Sequence, residues 1–195
     1  MTNPKLKNIL LTCFFFGGLV LGILFVDLWG DTYLGGSAFL EQKMLPTIRE
    51  TTFDSRSLLF YLCKDRVASF LLFWLFGYTA FGWITQLFLF GWTGFAAGAF
   101  MSMFLVQMGL GGVLVFLAML LPQWFFYAAS MWLMAEAVFA RGGKNRIMES
   151  RAALKEKEKQ YVKRILLSGM FLALGMVLES TVNPLLLKFT INYFF

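Results

Sequence analysis

VASFLLFWLFGYTAFGWITQLFLFGWTGFAAGAFMSMFLVQMGLGGVLVFLAMLLPQWFFYAASMWLMA, from Val67 to Ala135, runs for 69 residues without an Asp, Glu, Lys or Arg. A membrane helix needs only ~20 such residues, and no soluble domain buries so long an uncharged stretch. The segment belongs in a bilayer. The rest of the chain agrees: 59% of residues are hydrophobic and 18% aromatic, with 24 Phe and 6 Trp against only 14% charged. The charges lie in short blocks between apolar runs. Neither of the longer polar segments is large enough to fold around a core of its own, so the 195 residues read as a single membrane domain spanning 1–195.

Composition also excludes chemistry. The chain has no His, which removes the commonest general base, the commonest metal ligand and any Ser/His/Asp arrangement. Cys13 and Cys63 are single and far apart, so no metal-ligand or CxxC pattern exists. Cys13 lies early in the first apolar segment and Cys63 just before the second, positions expected near opposite faces of the membrane, so no disulfide between them is expected. No GxxxxGK[ST] loop is present. No cofactor is implied. The net charge of +6 does not point to nucleic acid, because the basic residues flank apolar runs as the positive-inside bias requires.

An apolar segment at 9–29 follows Lys5 and Lys7. It exceeds the 7–15 residues of a signal-peptide core, and Gly36-Ser37-Ala38 lies too far downstream to be its cleavage site, so it reads as an uncleaved helix. Residues 31–66 carry five Lys/Arg and five Asp/Glu, whereas 141–164 carry nine against three. The second block is therefore expected in the cytoplasm. With the N-terminus on the same side and 31–66 outside, the long apolar run crosses an odd number of times, and three crossings suit its length. Breaks are expected near Phe88–Thr93, at Gly91, and near Gln107–Gly112, at Gly109, Gly111 and Gly112. The expected fold is all-α: a polytopic membrane protein of about five helices near 9–29, 67–88, 92–108, 113–140 and 165–187, N-terminus inside and C-terminus outside. The expected breaks carry no charge, so they are either tight turns between complete helices or re-entrant and half-helix elements buried by protein.

Gly94, Gly98 and Ser102 recur every fourth residue, as do Gly18 and Gly22. Small residues at this spacing let helix backbones approach closely, either within the chain or against a partner. Three carboxylates fall in the expected helices. Asp27 and Glu136 lie near helix ends, where an interfacial position accounts for them. Glu179 lies deep in the last helix among Ser180, Thr181 and Asn183, just before Pro184. Pro184 ends or kinks the helix and frees the carbonyl of Ser180. Ser180, Thr181 and Asn183 are placed to satisfy freed groups, and Glu179 needs a dedicated donor such as Gln107 or Gln123. A structural polar site and a transport site are both open readings. Arg151, Lys155, Lys159 and Lys163 form a basic stripe that either faces anionic lipid or is solvated. In the outer segment, Phe39, Leu40, Met44, Leu45 and Ile48 form one apolar helical face that suits either a partner protein or the lipid surface.

Three elements together resemble a known family. They are Phe90-Gly91-Trp92-Thr93-Gly94-Phe95-Ala96-Ala97-Gly98, Met119-Leu120-Leu121-Pro122-Gln123, and Leu178-Glu179-Ser180-Thr181-Val182-Asn183-Pro184. In order and spacing they are similar to stage II sporulation protein M, with Pro122 and Gln123 as the Leu-Pro-Gln element. Many relatives carry Leu-Pro-His followed by a Glu. Here Gln123 replaces the His and Trp124 to Tyr127 contain no acid, so no role is built on a His/Glu pair. The resemblance implies a non-enzymatic membrane scaffold of endospore-forming bacteria. It would work with the peptidoglycan-degrading stage II sporulation proteins D and P in forespore engulfment. A competing reading from a different class is a transporter or permease subunit with a broken-helix site at Glu179–Pro184.

Overall fold

The computed structural model describes residues 4–33, 54–79, 81–141 and 151–194, and every element among them is an α-helix. Helix α1 spans Pro4–Tyr33, α2 Ser55–Phe76, α3 Gly82–Leu120, α4 Gln123–Arg141, α5 Arg151–Thr181 and α6 Asn183–Phe194. Pro4 opens α1, where its missing N–H costs nothing. Asp54 caps α2, accepting from the backbone N–H groups of Arg56 and Ser57 at 3.2 and 3.3 Å and from the Ser57 hydroxyl at 2.7 Å. The Ser57 hydroxyl, then these amides, holds the Asp54 carboxyl below its ordinary value.

Among the described residues, three helices are long and apolar enough to cross a membrane: Lys5–Gly30, Gly82–Leu120 and Leu154–Thr181. The second is not straight. Gly109 has φ 60° and ψ −148°, a region open essentially to glycine alone. There the chain doubles back: a Cβ on Gly112 would overlap the carbonyl oxygen of Phe104, and the rings of Phe104 and Phe116 are 6.5 Å apart. In a straight helix twelve residues would separate them by ~18 Å. The first arm, 82–108, is ~40 Å long, and the returning arm, 110–120, only ~16 Å. The returning arm meets α6, itself short, in a cluster of Phe104, Val115, Phe116, Leu187 and Ile191.

The small-residue stripes join α1 to α3. A Cβ on Gly18 or Gly22 would overlap the carbonyl oxygen of Gly91 or Phe95, and one on Gly94 or Gly98 that of Phe15 or Leu19. Ser102 continues the α3 stripe and is buried. The contacts are intramolecular, and the residue numbers rise together, so α1 runs parallel to the first arm of α3. Helix α4 runs antiparallel to both, with Phe90 against Trp132 and Leu11, Leu87, Ala135 and Phe139 in one cluster. Helix α5 returns against α4, and α2 packs mainly on α5 through Phe70, Phe73 and Trp74.

Several boundaries differ from the sequence expectation. No break occurs at Phe88–Thr93, because Gly91 stays helical and its bare surface faces Phe14 of α1. The interruption lies at Gly77–Phe81 instead. There Gly77, Tyr78, Thr79 and Gly82 donate to the carbonyls of Phe73, Leu75, Phe76 and Thr79, satisfying the turn locally. The expected outer segment 31–66 ends in helix, since α2 begins at Ser55 and carries Lys64, Asp65 and Arg66 at its middle. The expected helix 113–140 is divided at Leu121–Pro122, a cis peptide bond, and 165–187 is divided at Val182. Phe39, Leu40, Met44, Leu45 and Ile48 lie outside the described residues.

Candidate functional site

Polar contacts recur at both ends and the middle of the α4–α5 interface, between apolar stretches such as Met134, Ala137 and Val138 against Ile165. At one end lie Lys7, Arg141 and Arg164, the basic end. Here Arg141 pairs with Glu158 at 3.4 Å, and its guanidinium carbon stands 3.8 Å from the Tyr78 ring centroid and 5.0 Å from that of Tyr161. Lys7 pairs with Glu136 at 3.5 Å, while Arg164 donates to the Glu136 carbonyl at 3.4 Å. Midway, the buried hydroxyls of Ser130 and Ser168 are 3.0 Å apart, and Ser168 donates to the Ser130 carbonyl at 2.7 Å. Such bonds hold helices together where no hydrophobic difference separates protein from surroundings.

Farthest from the basic end on this interface stands Glu179. The Tyr127 hydroxyl of α4 donates to one carboxylate oxygen. Arg66 of α2 reaches the other at 3.5 Å while its guanidinium lies 5.4 Å from the Tyr127 ring centroid. Gly175, one turn earlier, makes the room: a Cβ there would lie 2.6 Å from Tyr127 Cε1. Three helices thus converge on one carboxylate.

The donors of Glu179 are Arg66 and Tyr127, not Gln107 or Gln123. The Gln123 side-chain amide donates back to the Met119 carbonyl, spanning the Leu121–Pro122 break, and its Oε1 is buried without a protein partner. Ser180 and Thr181 both donate to the Val177 carbonyl, at 3.0 and 2.7 Å, rather than to the carbonyl that Pro184 leaves free. Across the break Val182 N–H donates to Leu178 and Leu186 N–H to Val182, so the helix bends with little loss of bonding. Asn183 Oδ1 is buried and unpartnered. Neither Arg66 nor Tyr127 stood out in the sequence. One signal was available for Arg66: apolar residues flank it on both sides at helical spacing.

Among the described residues no group of three or more His, Cys, Asp or Glu side chains converges. The carboxylate of Glu179 is committed to two donors on two other helices. The arrangement clamps α2, α4 and α5 together beside the α5–α6 bend.

These features define an all-helical membrane protein in which Glu136, Glu179, Arg141, Ser130 and Ser168 make contacts between helices. Residues 10–184 match the model of the stage II sporulation protein M family, and the chain belongs to that family. The match includes all three sequence elements quoted above. No curated protein and no solved structure shows a significant match.

Proposed function

We propose that the protein is a non-enzymatic membrane scaffold that anchors or assembles peptidoglycan hydrolases, stage II sporulation proteins D and P, for forespore engulfment. Family membership over 10–184 carries this reading. The structure supports it by committing Glu179, Glu136, Arg141, Ser130 and Ser168 to holding helices together. In the orientation we propose, the basic end faces the cytoplasm with the N-terminus and 141–164. The five antiparallel passes are then α1, α2, the first arm of α3, the returning arm with α4, and α5 with α6, leaving the C-terminus outside. The hydrolases act on the outer side, where the loop containing Phe39, Leu40, Met44, Leu45 and Ile48 is their docking surface.

The competing reading, a transporter subunit, is favoured by the broken helix at Glu179–Pro184. It is weakened by the pairing of Glu179 with both Arg66 and Tyr127. Two experiments test the scaffold reading. The purified protein, free of partners, is expected to release no fragments from peptidoglycan, and release would overturn it. A cysteine placed at Ser150 is expected to resist an impermeant thiol reagent in intact cells, and labelling would overturn the orientation.

A further inference from the structure

Helix α2 is the least covered element of the bundle, packing on α5 and the edge of α4 and only slightly on α3. Its outward face repeats with a coiled-coil spacing, Tyr61, Asp65, Ala68, Leu72 and Leu75, all exposed. Tyr61 is 67% and Leu75 62% exposed. Lys64 flanks this seam and is exposed as well. From Arg66 to the end of α2 at Phe76 is ~15 Å by helix rise, and the hydrocarbon core is ~30 Å thick. In the proposed orientation, on which this inference rests, Lys64 and Asp65 therefore stand near the middle of the bilayer. Charges at that depth pair with one another or face protein or water. Arg66 has Glu179, but among the described residues neither Lys64 nor Asp65 has an ion pair or side-chain hydrogen bond.

We propose that this face of α2 pairs two copies of the chain, side by side and parallel about a twofold axis along the membrane normal. The charges on the face are self-complementary: one cation and one anion at the same depth. In a parallel helix pair a seam residue at the Asp65 position packs against its counterpart and the residue preceding that counterpart. The two Asp65 carboxylates therefore come together at the seam, and the Lys64 ammonium group of each copy pairs with the Asp65 of the other, offsetting their repulsion twice over by symmetry. A foreign helix would have to supply both an acid and a base at this depth, whereas a second copy does so automatically. Ala68 at the centre of the seam lets the backbones approach.

The test uses the full chain in native membranes, with Cys13 and Cys63 replaced by Ser. Ala68→Cys is expected to cross-link under mild oxidation into a species of twice the chain mass, while Leu21→Cys, exposed on α1, is not. Adding K64D or D65K to Ala68→Cys places like charges across the seam and is expected to lower the yield about tenfold, the equivalent of ~1.4 kcal/mol. The double exchange K64D/D65K restores it, which a merely misfolded single variant would not do. Absence of the dimer while the cysteine at 68 stays shielded from an impermeant maleimide overturns the pairing and leaves the orientation standing. A cysteine at 68 that reacts with the maleimide overturns the placement of α2 in the bilayer, and the pairing with it. A cross-link to a different polypeptide overturns the second copy as the occupant.

Discussion

Replacing Glu179 by Leu removes the acceptor on which Tyr127 and Arg66 converge. The Glu179 side chain is 18% exposed and that of Arg66 45%. Breaking a buried pair by deleting one member costs about 3–5 kcal/mol, and the partial exposure of Arg66 places this site at the lower end, about 3 kcal/mol. A loss of that size changes the ratio of folded to unfolded protein more than a hundredfold. Glu179→Gln keeps one acceptor oxygen but loses the charge and turns the second acceptor into an amide donor. Interhelical hydrogen bonds in membranes are worth about 0.6 kcal/mol on average and about 1.7 at most, so Glu179→Gln is expected to cost about 1–2 kcal/mol. The informative variant is R66L combined with E179L. It removes the stranded cation along with its partner, so it should be at least about 1 kcal/mol more stable than the sum of the single losses predicts. Thermal unfolding in mild detergent, followed by tryptophan fluorescence, reads the wild type, E179L, E179Q, R66L and the double variant. Strict additivity of the two Leu substitutions would refute the account of Glu179 as a clamp. In sporulating cells Glu179→Gln should retain part of its function and Glu179→Leu should not. Total loss in Glu179→Gln at full membrane abundance would favour the transport reading.

Gly94→Ala drives a Cβ into the Phe15 carbonyl of α1 and is expected to cost about 1–3 kcal/mol, whereas Gly17→Ala, with nothing within 4 Å of its Cβ, should be neutral or slightly stabilising; paired melting curves decide. Gly109→Ala places a side chain at φ 60°, ψ −148° and should lower stability by about 1–3 kcal/mol, measured in the same way. Arg141→Ala removes the contacts with Tyr78, Tyr161 and Glu158. It should cost about 0.5–2 kcal/mol, with a gain of proteolytic cleavage in the Gly77–Phe81 turn as the independent readout.

Much of the architecture is legible in local patterns. The charge-free run and the fourth-residue spacing of Gly18, Gly22, Gly94 and Gly98 are properties of one helix at a time. The turn at Gly109 lies among three glycines within six residues. What local patterns misplace depends on distant residues. Lys64, Asp65 and Arg66 look like the end of a polar loop because a charge triplet seldom sits inside an apolar helix. The helix holds because Arg66 finds Glu179, 113 positions later. Gly77, Gly82 and Gly91 are equivalent as sequence signals. Only the third lies along α1, so its missing side chain serves packing and the chain turns at the other two. The identity of Glu179's donors was hidden for the same reason, since α2 and α4 meet α5 only in the folded bundle.

The central claim is that the protein holds wall-degrading enzymes at the membrane. It is tested most directly by isolating the intact, tagged chain from sporulating cells in mild detergent and identifying what accompanies it. The account predicts stage II sporulation proteins D and P in the eluate, retained by the wild-type chain and lost when Phe39, Leu40, Met44, Leu45 and Ile48 are replaced together by Ser at unchanged membrane abundance. A wild-type chain that elutes with neither hydrolase, from cells in which both are present and engulfment is under way, would contradict it.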